Sequence, residues 1–159
     1  VVQHMPELFT KAFANRINQF SQIEVKEAED GDELRPGVAL VAPGGKHMAV
    51  VRKNLAGLAV RVYDADYVNR HKPSVDVLFN SVSEVVKKDA LGVILTGMGK
   101  DGAKGMLAMK QAGAETIGQC EADCAVYGMP KAAQALGAVD QEMTSRQIAA
   151  VLGKVRSRL

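Results

Sequence analysis

The sequence predicts an α/β domain with a mainly parallel sheet and an antiparallel portion. Three observations carry this. Short apolar runs such as Val38 to Ala42 and Leu91 to Thr96 have strand length and end in turn residues. Segments with apolar residues at helical spacing alternate with those runs, and alternation of this kind places the strands of a sheet parallel. The stretch 38–62 departs from the alternation, with two strands close enough in sequence to form a hairpin.

Taken in order, residues 6–20 read as a helix, with Pro6 suited to its first turn and Leu8, Phe9, Ala12, Phe13, Ile17 and Phe20 forming one apolar stripe. Ile23 to Lys26 is a short alternating strand. Asp30-Gly31 and Pro36-Gly37 bracket a polar loop, and Val38 to Ala42 is a strand ended by Pro43-Gly44-Gly45. Met48 to Arg52 and Leu58 to Val62 are the hairpin strands, and 63–73 is a charged loop. Ser74 reads as an N-cap with Asp76 in the first turn of the following helix, whose buried face is Val75, Leu78, Val82 and Val85. Leu91 to Thr96 is a buried strand. Ala103 to Ala112 is a helix stopped by Gly113, and Thr116 to Gly118 starts another strand. A loop over 120–130 leads to a short helix opened by Pro130. Thr144-Ser145-Arg146-Gln147 fits a capping box before a final helix with Ile148, Val151, Leu152, Val155 and Leu159 on one side.

A chain of 159 residues, 47% of them hydrophobic, suits one folded domain with a real core. A net charge of +2 makes no electrostatic claim on nucleic acid, and the absence of Trp weakens base stacking. No apolar stretch approaches the ~20 residues of a membrane-spanning helix, and no signal peptide is visible. Two cysteines, Cys120 and Cys124, make no disulfide framework and favour a reducing cytoplasm. The chain starts on Val1-Val2, which reads as the last two residues of a strand. We therefore expect a fragment that has lost sequence at its N-terminus.

Chemistry concentrates at two strand ends. Val93-Ile94-Leu95 runs into the glycine loop Gly97-Met98-Gly99-Lys100-Asp101-Gly102, which carries one acid, Asp101. His4 follows the strand tail Val1-Val2 and precedes the first helix. Ligands of open α/β sheets bind at the carboxyl ends of strands, so a His and an Asp placed there supply two thirds of a hydrolase triad. The Asp would fix the imidazole tautomer and leave the other nitrogen as general base. No Gly-x-Ser-x-Gly elbow occurs, Ser74 is explained as a cap, and Ser81 and Ser83 fall inside a helix. The glycine loop also matches G-x-G-x-x-G, a dinucleotide fingerprint, but Asp101 would stand against the pyrophosphate. Cys120 and Cys124 read as small buried residues rather than a metal pair, and no metal site is expected. His47 and His71, in loops beside Lys46 and Arg70, are candidate contacts for an anionic or carboxyl-bearing substrate.

Five ordered segments resemble the catalytic domain of the chemotaxis protein-glutamate methylesterases, the CheB family. They are Gln3-His4-Met5-Pro6, Ala42 to His47, Asn69 to Asp76, Gly92 to Gly102 and Tyr127-Gly128-Met129-Pro130. The resemblance covers residues 1 to about 140. It implies a three-layer α/β/α sandwich over 1–159, hydrolysis of glutamate γ-methyl esters on the cytoplasmic helices of methyl-accepting chemoreceptors, and deamidation of receptor glutamines. It implies a Ser-His-Asp triad with His4 as base, Asp101 as its partner and the Met98 N–H as oxyanion donor. It places the serine upstream of these residues and a receiver domain, fused or separate, before the catalytic domain. No cofactor is implied, and Arg70 and His71 are the expected substrate lip. The alternatives are a non-catalytic receptor-binding or regulatory module and, more distantly, a dinucleotide-dependent oxidoreductase.

Overall fold

A computed structural model of the chain describes residues 1–54 and 57–156. Residues 55 and 56 of the hairpin connection, the Val155 side chain and Leu159 lie outside that description. The chain forms two compact units, Val1–Ser81 and Val82–Leu159.

In the first unit, helix α1 (Glu7–Phe20) precedes strands β1 (Glu24–Glu27) and β2 (Val38–Val41), which pair in parallel with Val25 opposite Ala39. Val1 lies along β2, its N donating to Leu40 O at 2.6 Å and its O accepting from Ala42 N at 2.8 Å. The strand-tail reading of Val1 thus agrees with its backbone pairing. β2 is apolar on both faces because both are covered. Leu40 and Ala42 join Ala28, Met48 and Val60 in one cluster, while Val41 joins Val25 and Ala14 in another. β3 (His47–Arg52) and β4 (Leu58–Tyr63) form the predicted antiparallel hairpin, from His47 opposite Tyr63 to Arg52 opposite Leu58. The polar loop between β1 and β2 extends this sheet: Gly31 N donates to Val60 O, and Val60 N donates to Asp32 O, both at 2.8 Å.

Of the apolar stripe expected on α1 only Phe13 and Ile17 face inward, and Ala12 is exposed. Leu8, Phe9 and Phe20 are exposed, and the packed face runs through Thr10, Ala14 and the half-buried Phe13 and Ile17. A polar residue sits at the centre of that face because its hydroxyl is fully used. Thr10 Oγ1 donates to Glu27 Oε1 at 2.5 Å and accepts Gly44 N at 3.0 Å, which removes the penalty for burying it.

Helix α2 (Val75–Val85) begins in the first unit and ends in the second. Val75 is buried as expected, but Phe79 is buried too, while Leu78, Val82 and Val85 are half-buried. Ser81 Oγ accepts Val50 N at 2.8 Å and donates to Leu78 O at 2.6 Å, so it joins β3 to α2.

The second unit holds β5 (Leu91–Ile94), β6 (Glu115–Gln119) and β7 (Gln141–Met143), all parallel in that order. The strand read as Leu91 to Thr96 ends at Ile94, and Leu95 is half exposed. Helix α3 (Ala103–Gln111) buries Met106 and Met109, at 0% and 1% exposure, each contributing about 1.5–3 kcal/mol by burial. α4 (Met129–Ala135) carries Pro130 in its first turn. α5 (Ser145–Arg156) opens with the predicted capping box: Gln147 N donates to Thr144 Oγ1 at 3.3 Å, and Thr144 N donates to Gln147 Oε1 at 2.9 Å. Ile148 is buried, but Leu152 is half exposed.

Candidate active site

The loop 63–74 of the first unit is built around His47. The sequence suggested a surface loop for His47, but it lies in β3 at 1% exposure. Ser74 N donates to its Nδ1 at 3.3 Å, so Nε2 carries the proton and donates to Asp66 O at 2.9 Å. His47 is therefore an internal brace rather than a substrate contact. Lys72 Nζ bonds Asp64 Oδ1 at 2.7 Å and Ala65 O at 3.0 Å, and lies over the Tyr67 ring. The Asp64 carboxyl is held below the usual range by its hydrogen bond from Lys72.

At the loop's tip, Val68 and His71 exchange both backbone hydrogen bonds, 3.1 and 2.8 Å, around Asn69 and Arg70 at φ 53° and 67°. Two consecutive positive φ values make a type I′ turn, which Asn tolerates and Arg adopts at a steric cost. Asn69 Nδ2 donates to Asp76 Oδ2 at 2.7 Å, fastening the turn to the first turn of α2. Arg70 is exposed. The His71 ring is stacked on the His4 ring, with centroids 3.6 Å apart and planes within 7°. His4 is set by the segment between Val1 and α1. Gly44 packs against that helix start so closely that a Cβ there would overlap the Pro6 carbonyl carbon and the Glu7 backbone.

The glycine loop of the second unit is clamped by the segment 126–129. Gly97 N donates to Val126 O at 3.1 Å, and Met129 N donates to Gly97 O at 2.8 Å. Thr96 Oγ1 bonds both N and O of Val126, at 2.9 and 3.1 Å. A Cβ on Gly128 would stand 2.6 Å from Gly97 O and 3.2 Å from Met98 Cα. Thr96 N donates to Gln119 Oε1 at 2.7 Å, and Gln119 Nε2 in turn donates to Asp123 Oδ2 at 2.8 Å. Ser145 N also donates to Asp123 Oδ2, and this bond leads in pulling that carboxyl below its ordinary range. Tyr127 OH donates to Glu142 Oε1 at 2.6 Å, which pushes its pKa up to about 12.

Asp101 sits in this loop at 1% exposure, directly before Gly102 at the start of α3. Its neighbour in the loop, Met98, is 81% exposed. No pattern in the sequence foretells the loop's clamp, although Tyr127-Gly128-Met129-Pro130 is one of the five segments of the family resemblance.

The serines of the described residues are engaged elsewhere or occupy helical positions. Ser21 Oγ donates to Ile17 O, Ser81 joins β3 to α2, Ser74 is fully buried, Ser83 lies in α2, and Ser145 starts α5. Burial pushes the Cys124 thiol up, away from the thiolate a nucleophile needs. Among the described residues, no group of three or more His, Cys, Asp or Glu is placed to hold a metal ion, and no helix is long and apolar enough to cross a membrane.

The family model described as CheB methylesterase matches residues 1–152. The chain belongs to the CheB methylesterase family. It is 58% identical over 149 residues to protein-glutamate methylesterase/protein-glutamine glutaminase 2 of Chromobacterium violaceum, covering 94% of this chain and 42% of that protein. It is 54% identical over 158 residues to the protein of the same name in Dechloromonas aromatica, covering 99% and 44%. The chain thus spans less than half the length of these relatives. Its fold matches the crystal structure of the Thermotoga maritima CheB methylesterase catalytic domain with a TM-score of 0.92 at 37% identity, covering 98% of this chain and 82% of that one. The α/β class, the parallel pairing and the hairpin agree with the CheB expectation, and the dinucleotide alternative gains nothing from these relatives.

Proposed function

We propose that these residues form most of a cytoplasmic catalytic domain that hydrolyses glutamate γ-methyl esters and deamidates glutamines on chemoreceptor helices. The nucleophilic serine would come from sequence outside this chain, since the serines described here are caps, joints or helix residues. His4 takes the serine proton as its oxygen attacks the ester carbonyl, and then gives that proton to the departing methanol. Water opens the acyl-enzyme by the same route and leaves a glutamate carboxylate. With a glutamine the leaving group is ammonia. Asp101 orients His4 and stabilises the imidazolium, and the Met98 N–H donates to the oxyanion.

One observation carries the reading most: the only acid of the glycine loop is buried at 1% exposure, two residues before α3, in a loop locked by backbone bonds to 126–129. A solvated turn has no use for such a lock, whereas an orienting carboxylate and an oxyanion donor need fixed positions. Exposed Arg70, held in a strained turn, supplies a cationic contact for the receptor helix that carries the ester. A receiver domain and the receptor helices complete the assembly in this proposal.

The test is methanol release from methyl-esterified receptor membranes by the full-length gene product. His4→Ala should abolish it. Arg70→Ala should weaken receptor demethylation more than hydrolysis of a small soluble ester, because remote contacts orient only the large substrate. Undiminished turnover in His4→Ala would refute His4 as the general base, and no turnover by the parent protein would favour a non-catalytic module.

A further inference from the structure

We infer that His71 is a positioning residue for the proposed general base, acting through the face of its ring rather than by binding a substrate anion. The inference rests on the esterase reading. It starts from the stack itself: the His4 and His71 centroids are 3.6 Å apart and their planes differ by 7°. Rings this close and this parallel overlap with little lateral offset. A cation over a neutral π face is favoured in that arrangement, and two stacked cations repel. The ring placement therefore suits a positive charge that appears on His4 during the reaction while His71 presents its π face.

A general base passes through a charged state. When His4 takes the serine proton, its positive charge appears against the His71 face. An interaction that strengthens only then lowers the barrier rather than tightening substrate binding. The stack also fixes the His4 plane, so the ring nitrogen meets the serine oxygen without a search.

The loop supplies the rigidity this requires. The His71 backbone is held at both N and O by Val68, Asn69 is fastened to Asp76, and Lys72 O accepts Gly45 N at 3.1 Å. Two residues further on, Ser74 N is tied to the buried His47 ring. None of these bonds uses the His71 side chain, so its substitution leaves the turn's backbone bonding in place.

The test uses the full-length gene product with His71→Ala, His71→Phe and His71→Lys. His71→Ala should lower kcat about 10-fold with KM within about two-fold, the size of one desolvated cation–π contact. His71→Phe keeps the π face and should restore kcat to within about three-fold of the parent. His71→Lys should fall below His71→Ala, because it opposes two cations. If His71 instead bound a substrate anion, Lys would preserve KM and Phe would raise it, and that pattern would overturn the inference. Proton NMR of the His4 ring reads the stack without turnover. Its ring protons should be shifted upfield in the parent and in His71→Phe, and should move downfield in His71→Ala. No change in His71→Ala would also overturn it. A parent enzyme that hydrolyses esters while all three variants match it refutes the role of His71 alone. A parent without any turnover refutes the esterase reading, and the positioning role falls with it.

Discussion

Gly128→Ala should damage catalysis through a residue that carries no functional group. The added Cβ would stand 2.6 Å from Gly97 O, 3.1 Å from Gly99 N and 3.2 Å from Met98 Cα, all of them backbone. Ordinary contact begins at 3.4 Å, so the Gly97 carbonyl must retreat by about 0.8 Å. That carbonyl accepts Met129 N at 2.8 Å and belongs to the residue before Met98, so the retreat strains the clamp and carries the Met98 N–H with it. A displacement near 1 Å at a reacting centre costs about 10²-fold, and loss of one oxyanion donor about 10²–10³-fold. We expect kcat to fall about 30- to 100-fold with KM little changed. Overpacking should cost about 1–3 kcal/mol, a fall in Tm of roughly 3–10 °C for a domain of this size. The assay is methanol release by the full-length gene product, beside thermal unfolding. Gly153→Ala is the control. It lies within α5 with open space around its Cβ, so it should gain about 0.5–1 kcal/mol and leave kcat alone. Parental kcat and Tm in Gly128→Ala would refute the reasoning.

Asp101→Asn should lower kcat by orders of magnitude, up to the ~10⁴-fold seen for the equivalent change in a serine protease triad, and a loss under ten-fold in methanol release would speak against its role as partner of the base. The Asp140 carboxyl is held below its usual range by its hydrogen bond from Lys110, with those from Thr116 Oγ1 and N adding to it. A depressed carboxylate contributes stability that is present above its unfolded pKa of about 3.9 and is lost as pH falls through the folded value. The Tm gap between parent and Asp140→Asn should therefore shrink below about pH 4, and a gap that widens on acidification would contradict this. Cys124, with its thiol pushed up by burial, should react slowly with iodoacetamide at neutral pH and faster in alkali, and rapid neutral labelling located at Cys124 by mass spectrometry would contradict that.

Elements with strong local chemistry were legible in the sequence. The capping box at Thr144, the strand lengths of the hairpin and the stop at Gly113 depend on neighbours in sequence, and all three are present. β7 was missed because Gln141-Glu142-Met143 has no apolar pattern and only three residues. Its pairing comes from the backbone and from Asp140, whose N donates to Thr116 O at 3.0 Å. The packed face of α1 was misplaced because periodicity counts Leu8, Phe9 and Phe20 as interior and Thr10 as surface. Only the tertiary partners of Thr10, Glu27 and Gly44, reverse that reading. His47 was misread for the same reason, since a histidine braced at both nitrogens looks like any other histidine in sequence. Gln119 carried no sequence signal, yet it joins Thr96 to Asp123.

The motifs that made the family recognisable are interlocking pieces rather than five separate sites. Gly44 of the Pro43-Gly44-Gly45 segment lies against the start of α1, so the helix that follows His4 can enter only at that angle. The loop from Asn69 to Asp76 is braced by His47 of the neighbouring motif and brings the His71 ring onto His4. Gly128 lies against Gly97 and Met98, and the backbone bonds of Val126 and Met129 hold the loop that contains Asp101. In each unit, one motif lies against another and fixes its backbone. Under the proposed mechanism, holding a base and an oxyanion donor in fixed positions requires glycines and braces as well as reactive groups. Changes at the supporting positions should therefore lower kcat while substrate affinity survives. That split separates a catalytic scaffold from a docking module, in which the same changes would weaken binding first.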